Sequence, residues 1–162
     1  MPAWLHALRA SFTFLTRVPV GGFPYPKATW QWITLWFPLV GLMIGGAQWA
    51  LWESLAGLSD WTRCILVVLS GVLITGAFHE DGLADVCDGF GGGWTKEKIL
   101  FIMKDSRLGT FGVIGIIMVL FLKFPALQHL QSISIRFLIV IVSGHSISRF
   151  IATILLFTHN YG

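Results

Sequence analysis

The chain has 162 residues, 55% of them hydrophobic and only 12% charged, with a mean hydropathy of +0.75. An ordinary soluble domain carries about 25% charged residues, so half that fraction with long uncharged runs excludes such a domain and predicts an all-α, polytopic membrane helix bundle. The net charge of +3 comes without a basic run, which excludes a nucleic-acid footprint, and Cys64 and Cys87, with no CxxC pair, exclude a disulfide framework.

The first predicted element covers residues 3–18. Trp4, Leu5, Leu8, Phe12 and Leu15 recur at helical spacing with Arg9 and Arg17 among them, the pattern of an amphipathic helix lying in the membrane interface. No signal peptide is expected, because the arginines interrupt the apolar pattern and no small-residue cleavage site follows. Pro19, Gly21, Gly22, Pro24 and Pro26 end the helix. Residues 28–52 carry no charge, and 33–52 supply the roughly 20 apolar residues of a span. Pro38 is expected to kink it, and Gly41 and Gly45 offer a close-packing face. After a polar turn, residues 64–78 form a second uncharged run, which Trp61 and Thr62 can extend.

That run ends at His79-Glu80, where the chain concentrates its charge. Six of its eight acids lie between positions 80 and 105: Glu80, Asp81, Asp85, Asp88, Glu97 and Asp105. Asp81, Asp85 and Asp88 are spaced i, i+4, i+7, which puts their carboxylates on one helix face, while Glu80 points roughly 100° away. Like charges so placed repel, and more strongly as the surrounding dielectric falls. A divalent cation removes the repulsion, and carboxylates without thiolates or a His pair suit Mg²⁺ or Mn²⁺ better than zinc. Such acids must face water or a protein-lined cavity. The bland alternative is a solvated acidic loop.

Gly89 and Gly91, Gly92, Gly93 follow. Glycine lets backbone N–H groups approach a phosphate, and a flexible hinge is the equal alternative. Thr95 is the expected N-cap of a short interfacial helix over 96–104, with Ile99, Ile102 and Met103 on its apolar side. Lys104-Asp105-Ser106-Arg107 is a second polar node. Arg107 is suited to gripping phosphate oxygens, Asp105 to binding metal or acting as a base, and Lys104 reads as a loop salt bridge. Residues 108–122 are a further uncharged run, closed by Lys123 and Pro125. Residues 137–157 can span but contain His145 and Arg149. An arginine within a span is a functional candidate: Arg149 binds phosphate if it faces the carboxylate cavity, or else pairs with a buried acid or a helix-end carbonyl. Ser143, Ser146 and Ser148 can bond between helices. The Lys and Arg distribution puts the N-terminal segment and the acidic region on the cytoplasmic side.

These motifs resemble the cobalamin-phosphate synthase family, the adenosylcobinamide-GDP ribazoletransferases. The resemblance is carried by His79-Glu80-Asp81-Gly82-Leu83-Ala84-Asp85, Asp88-Gly89, Gly91-Gly92-Gly93 and Met103-Lys104-Asp105-Ser106-Arg107-Leu108-Gly109-Thr110-Phe111-Gly112, with Phe14-Leu15-Thr16-Arg17-Val18-Pro19 and Phe37-Pro38-Leu39-Val40-Gly41 nearer the start. It implies a Mg²⁺-dependent enzyme of the bacterial inner membrane, embedded in lipid. Such an enzyme joins GDP-activated adenosylcobinamide to α-ribazole or its 5′-phosphate and releases GMP in cobalamin biosynthesis. It implies Asp81, Asp85 and Asp88 on metal and diphosphate, with Glu80 a weaker ligand, Asp105 a ligand or base and Arg107 a phosphate clamp. Family members are longer, so residues 1–162, which stop at Asn160-Tyr161-Gly162, are expected to form one membrane domain, the N-terminal part of a longer fold with about four spans here.

Two alternatives stay open. A lipid phosphotransferase using CDP-linked groups would also cluster aspartates, but its Asp-Gly-x-x-Ala-Arg pattern is not met where Asp85 follows Ala84 directly. A cation transporter or channel subunit would leave the glycines and the Asp105-Ser106-Arg107 node unused. Nothing in the sequence sets the oligomeric state.

Overall fold

A computed structural model describes residues 2–22, 24–130 and 134–159; the chain end from Asn160 lies outside them. All regular elements among the described residues are helical: α1 (Ala3–Leu15), α2 (Phe37–Ser54), α3 (Asp60–Thr75), α4 (Phe78–Gly92), α5 (Lys96–Met103), α6 (Thr110–Leu130) and α7 (Ser134–Thr158). Two short 3-10 turns, Lys27–Thr29 and Ile33–Trp36, lead into α2. Three stretches are long and apolar enough to cross a membrane: Ile33–Ser54, Thr110–Leu130 and Ile135–Thr158. A fourth crossing is available if α3 and α4, bent by 87° at their junction, are one broken span.

Helix α1 forms as the periodicity predicts but ends at Leu15. Its buried face is small, Ala7, Ala10 and Ser11 with Leu15, whereas Trp4 stays half exposed. The Ser11 hydroxyl donates to the Ile33 carbonyl at 2.6 Å, fixing α1 to the entry of α2. Pro38 lies where the 3-10 turn Ile33–Trp36 passes into α2. It sits in the first turn of α2, where its missing N–H has no intrahelical partner to lose.

The centre of the molecule is α2 against α7. A Cβ on Gly41 would run into the His145 backbone, and one on Gly45 would lie 2.7 Å from the Val142 Cα. The expected close-packing face is therefore real, since only glycine lets these backbones approach so closely. At the far end of α2, Trp52 stacks on Phe137 with ring centroids 4.5 Å apart, and Cys64 and Val67 complete that cluster. At the near end, Phe37, Val40 and Ile44 meet Leu15 and Ile74. The start of α3 thus lies by the end of α2 and the end of α3 by its start, so the two run antiparallel.

Helix α6 extends further than its composition suggests. Pro125 was expected to close the run, yet the helix continues through it to Leu130. Phe124, Leu127 and Leu130 pack on the Trp52–Phe137 cluster, and this packing outweighs the backbone bond that proline removes.

Candidate functional site

The acidic stretch is placed by the junction between α3 and α4. Gly76 (φ 65°) and Ala77 (φ 60°) both adopt the left-handed conformation. Ala77 is the described non-glycine residue that does so, at a cost of about 1–2 kcal/mol. The Ala77 N–H donates to the Val72 carbonyl at 2.9 Å, ending α3, and the Ala77 carbonyl accepts from the Asp81 N–H at 2.8 Å, starting α4. The Arg17 N–H reaches the Ile74 carbonyl at 2.7 Å, and Phe14 lies between Phe37 and Phe78. The turn is thereby braced from the N-terminal segment, and it throws α4 across the end of α3.

Asp81 and Asp85, one turn apart on α4, line a cavity of about 230 Å³ with Met103, Lys104, Asp105, Ser106, Arg107 and Leu108. Thr95 caps α5 by accepting from the Lys98 N–H, as expected, and Ile99 and Met103 press on Gly89 while Ile102 reaches Gly92. Helix α5 thus lies along α4 and returns the Lys104–Arg107 loop to the two aspartates. Arg107 forks onto Asp105, donating at 2.6 Å from Nη2 and 3.0 Å from Nε to Oδ2. These hydrogen bonds hold the Asp105 carboxyl below its usual range and push the Arg107 guanidinium up. Lys104 lines the cavity without an ion pair among the described residues, so it is not the loop salt bridge expected of it; Arg107 takes that place.

Asp88 shares the helix but not the cavity. It is buried, and its two oxygens accept from the Gly109 N–H at 2.7 Å and the Gly112 N–H at 2.8 Å. A carboxylate there caps the N-terminus of α6 and meets its dipole. Glycines Gly109, Gly112 and Gly115 face Asp88, Ala84 and Cys87. Their i, i+3, i+6 spacing was the available signal for an α4–α6 contact and went unread.

The glycine run is not a loop. Gly91 and Gly92 belong to α4 and Gly93 ends it. A Cβ on Gly91 would strike the Phe111 ring, and one on Gly93 would lie 2.7 Å from Ile99. None of the three lines the acidic cavity. Their shape serves the approach of α5 and α6.

Glu80 and Arg149 face a second, larger cavity of about 910 Å³. Glu80 is 3.7 Å from Lys123. Arg149 is only 6% exposed and holds His79 at 2.7 Å and His145 at 3.0 Å; Gln48 meets the other His145 nitrogen at 2.5 Å. Arg149 also donates to the His145 carbonyl at 3.4 Å.

The donor set of the smaller cavity can be tested against Mg²⁺. Its lining offers carboxylate oxygens and no imidazole or thiol. No three His, Cys, Asp or Glu side chains among the described residues converge as a complete metal cage. One or two carboxylates, with water and substrate phosphate completing the shell, is the usual arrangement for Mg²⁺, so the residues fit that ion.

Fold and cavity together define a class: a helical protein with three to four candidate membrane spans that gathers oxygen donors and an arginine beside a bent helix pair. Within that class the chain belongs to the cobalamin-5-phosphate synthase (CobS) family, whose profile matches residues 7–162. It is 47% identical over 150 residues to the adenosylcobinamide-GDP ribazoletransferase of Leptospira interrogans, covering 91% of this chain and 57% of that protein. The proteins of the same name from Shewanella frigidimarina and Ralstonia pickettii are each 40% identical, over 98% and 96% of this chain and 63% and 62% of theirs. The chain spans about three fifths of the length of these curated relatives. No solved structure matches.

Proposed function

We propose that the chain takes part in the transfer named for its relatives: GDP-activated adenosylcobinamide is joined to α-ribazole or α-ribazole 5′-phosphate, with GMP released. The acceptor hydroxyl oxygen forms a bond to the phosphorus that carries cobinamide. The bridging P–O bond breaks, its electron pair leaves with GMP, and the hydroxyl proton passes to a carboxylate. The observation that carries the reading is that Asp81 and Asp85 line one cavity with Asp105, Ser106 and Arg107. The family match favours it over a lipid phosphotransferase or a cation transporter.

In this reading Asp81 and Asp85 would hold Mg²⁺, and a carboxylate oxygen of the cavity not given to the ion would take the proton. When bound, the ion neutralises charge on the diphosphate and its leaving oxygen. Arg107 offers its remaining N–H groups to phosphate, and Asp105, a weak base in its grip, orients it. Asp88 builds the cavity wall through α6. The protein sits in the bacterial cytoplasmic membrane with lipid against the exposed apolar faces of α6 and α7, and the basic 94–107 region lies on the cytoplasmic side. Residues 1–162 form one membrane unit of a longer family fold.

The test is GMP release from GDP-cobinamide by membranes carrying the chain. Release should require both α-ribazole and Mg²⁺, stop with EDTA and return when Mg²⁺ is restored. Release that persists in EDTA, or does not depend on α-ribazole, would overturn the reading.

A further inference from the structure

The larger cavity has the features of a built ligand site. Its walls are mostly apolar, including Val67, Val72, Leu127 and Ile141, and its charged groups are Glu80, Lys123 and Arg149. Two polar atoms there are buried without a partner: Glu80 Oε2 and Arg149 Nε. Arg149 itself is more than nine-tenths buried. A buried acceptor and a buried donor left unmet in one cavity are costly unless a guest meets both. Hydroxyl groups do so, donating to the carboxylate and accepting from the guanidinium.

We infer that this cavity seats the acceptor nucleoside, its flat apolar base among the aliphatic side chains and its ribose hydroxyls at Glu80 and Arg149. The inference rests on the proposed transfer and assigns it a second subsite. The base of α-ribazole is a methylated benzimidazole, with no exocyclic amino or keto group. It can enter an apolar wall without stranding polar atoms, whereas guanine would leave its donors and acceptors unmet. The volume, about 910 Å³, accommodates a nucleoside. The two subsites are also adjacent. Glu80 faces the larger cavity and Asp81 the smaller, so consecutive residues in the first turn of α4 address acceptor and diphosphate from its two sides.

The experiment measures equilibrium binding of radiolabelled α-ribazole to the chain in phospholipid nanodiscs, with GDP-cobinamide binding measured alongside. Saturable α-ribazole binding is expected to survive EDTA and Asp81→Asn, and guanosine should not compete. Arg149→Gln and Glu80→Gln should weaken it on the order of tenfold or more, the usual loss for a hydrogen bond to a buried charge. Arg149 also ties His79 to His145, so its variant can disturb folding. Gly144→Leu is the independent probe. Gly144 lines the cavity and a Cβ there meets no atom within 4 Å, so the new side chain has room to project from the cavity wall and helix propensity improves. It should abolish α-ribazole binding and leave Mg²⁺-dependent GDP-cobinamide binding intact. α-Ribazole binding that is unchanged in Gly144→Leu, or lost in Asp81→Asn, overturns the inference. So does GDP-cobinamide binding without any α-ribazole binding, or a co-purifying phospholipid that α-ribazole does not displace. Failure to bind either substrate overturns the proposed function itself.

Discussion

Asp81 and Asp88 are the same side chain on the same helix, and what their oxygens already accept separates them. Asp88 is buried and accepts a backbone amide on each oxygen, while Asp81 and Asp85 face open cavity. Asp81→Asn and Asp85→Asn are expected to cut turnover on the order of 100-fold or more, the scale of losing one preorganised electrostatic contact, with membrane insertion unchanged. Asp88→Asn turns an amide N–H₂ or a neutral oxygen toward two N–H donors. It should destabilise the fold by about 2–3 kcal/mol, read as lower thermal and protease resistance, before it changes Mg²⁺ dependence. Asp105 gives a prediction in pH. Its folded-state value lies below the ordinary 3.8 because Arg107 bonds to its ionised form. The contribution of the pair is therefore complete above the ordinary value and is lost only as pH falls through the lowered one. Carboxyl-carbon NMR of labelled aspartate should show Asp105 ionised throughout the neutral range. Arg107→Gln should move its titration up toward the ordinary value.

The bend between α3 and α4 and the glycine face of α6 determine where those residues stand. Gly76→Ala would put a Cβ onto a left-handed residue and into the Arg17 side chain. Gly112→Ala would lie 3.0 Å from the Ala84 carbonyl and against the Asp88 carboxylate. Both are expected to shift α4, seen as a changed distance between spin labels on α3 and α4 for the first and on α4 and α6 for the second. Gly46→Ala meets nothing within 4 Å and should leave both distances alone. The spans, the Thr95 cap and the Gly41–Gly45 face were legible in the sequence because each depends on local spacing or local chemistry. The glycines of 89–93 were read for phosphate approach or a hinge, and the sequence did not show that Met103, Ile99 and Phe111, distant along the chain, occupy the space that those glycines leave. Pro125 misled for the same reason, its helix being held by Phe137 and Trp52 across the bundle. Helical periodicity groups Asp81, Asp85 and Asp88 on one face of α4. It could not say that the start of α6 would claim the third carboxylate, since that contact depends on how two helices cross.

At the scale of the whole molecule the charges decide what the bent pair does. Arg9, Arg17 and Lys27 precede α2, Arg63 follows it, Lys96, Lys98, Lys104 and Arg107 follow α4, and Arg136 lies in the first turn of α7, while Lys123 lies within α6 against Glu80. If α3 and α4 together cross the membrane once, the first and third groups share a face and leave Arg63 and Arg136 opposite. If the pair re-enters instead, Arg9, Arg17, Lys27 and Arg136 share one face and Arg63, Lys96, Lys98, Lys104 and Arg107 lie opposite, with almost no asymmetry. The positive-inside tendency favours the crossing. The packing agrees, because α3 runs antiparallel to α2 and delivers Gly76 to the end where α1 and Phe37 lie. Single cysteines at Gly57 and Trp94, in a chain with Cys64 and Cys87 replaced, should therefore react with a membrane-impermeant maleimide from opposite sides, Trp94 only in inside-out vesicles. Labelling of both from one side would make α3–α4 re-entrant. If that side were the outer one, the acidic cavity would also be separated from the cytoplasmic pool of nucleotide-activated substrate, which the proposed transfer requires it to meet.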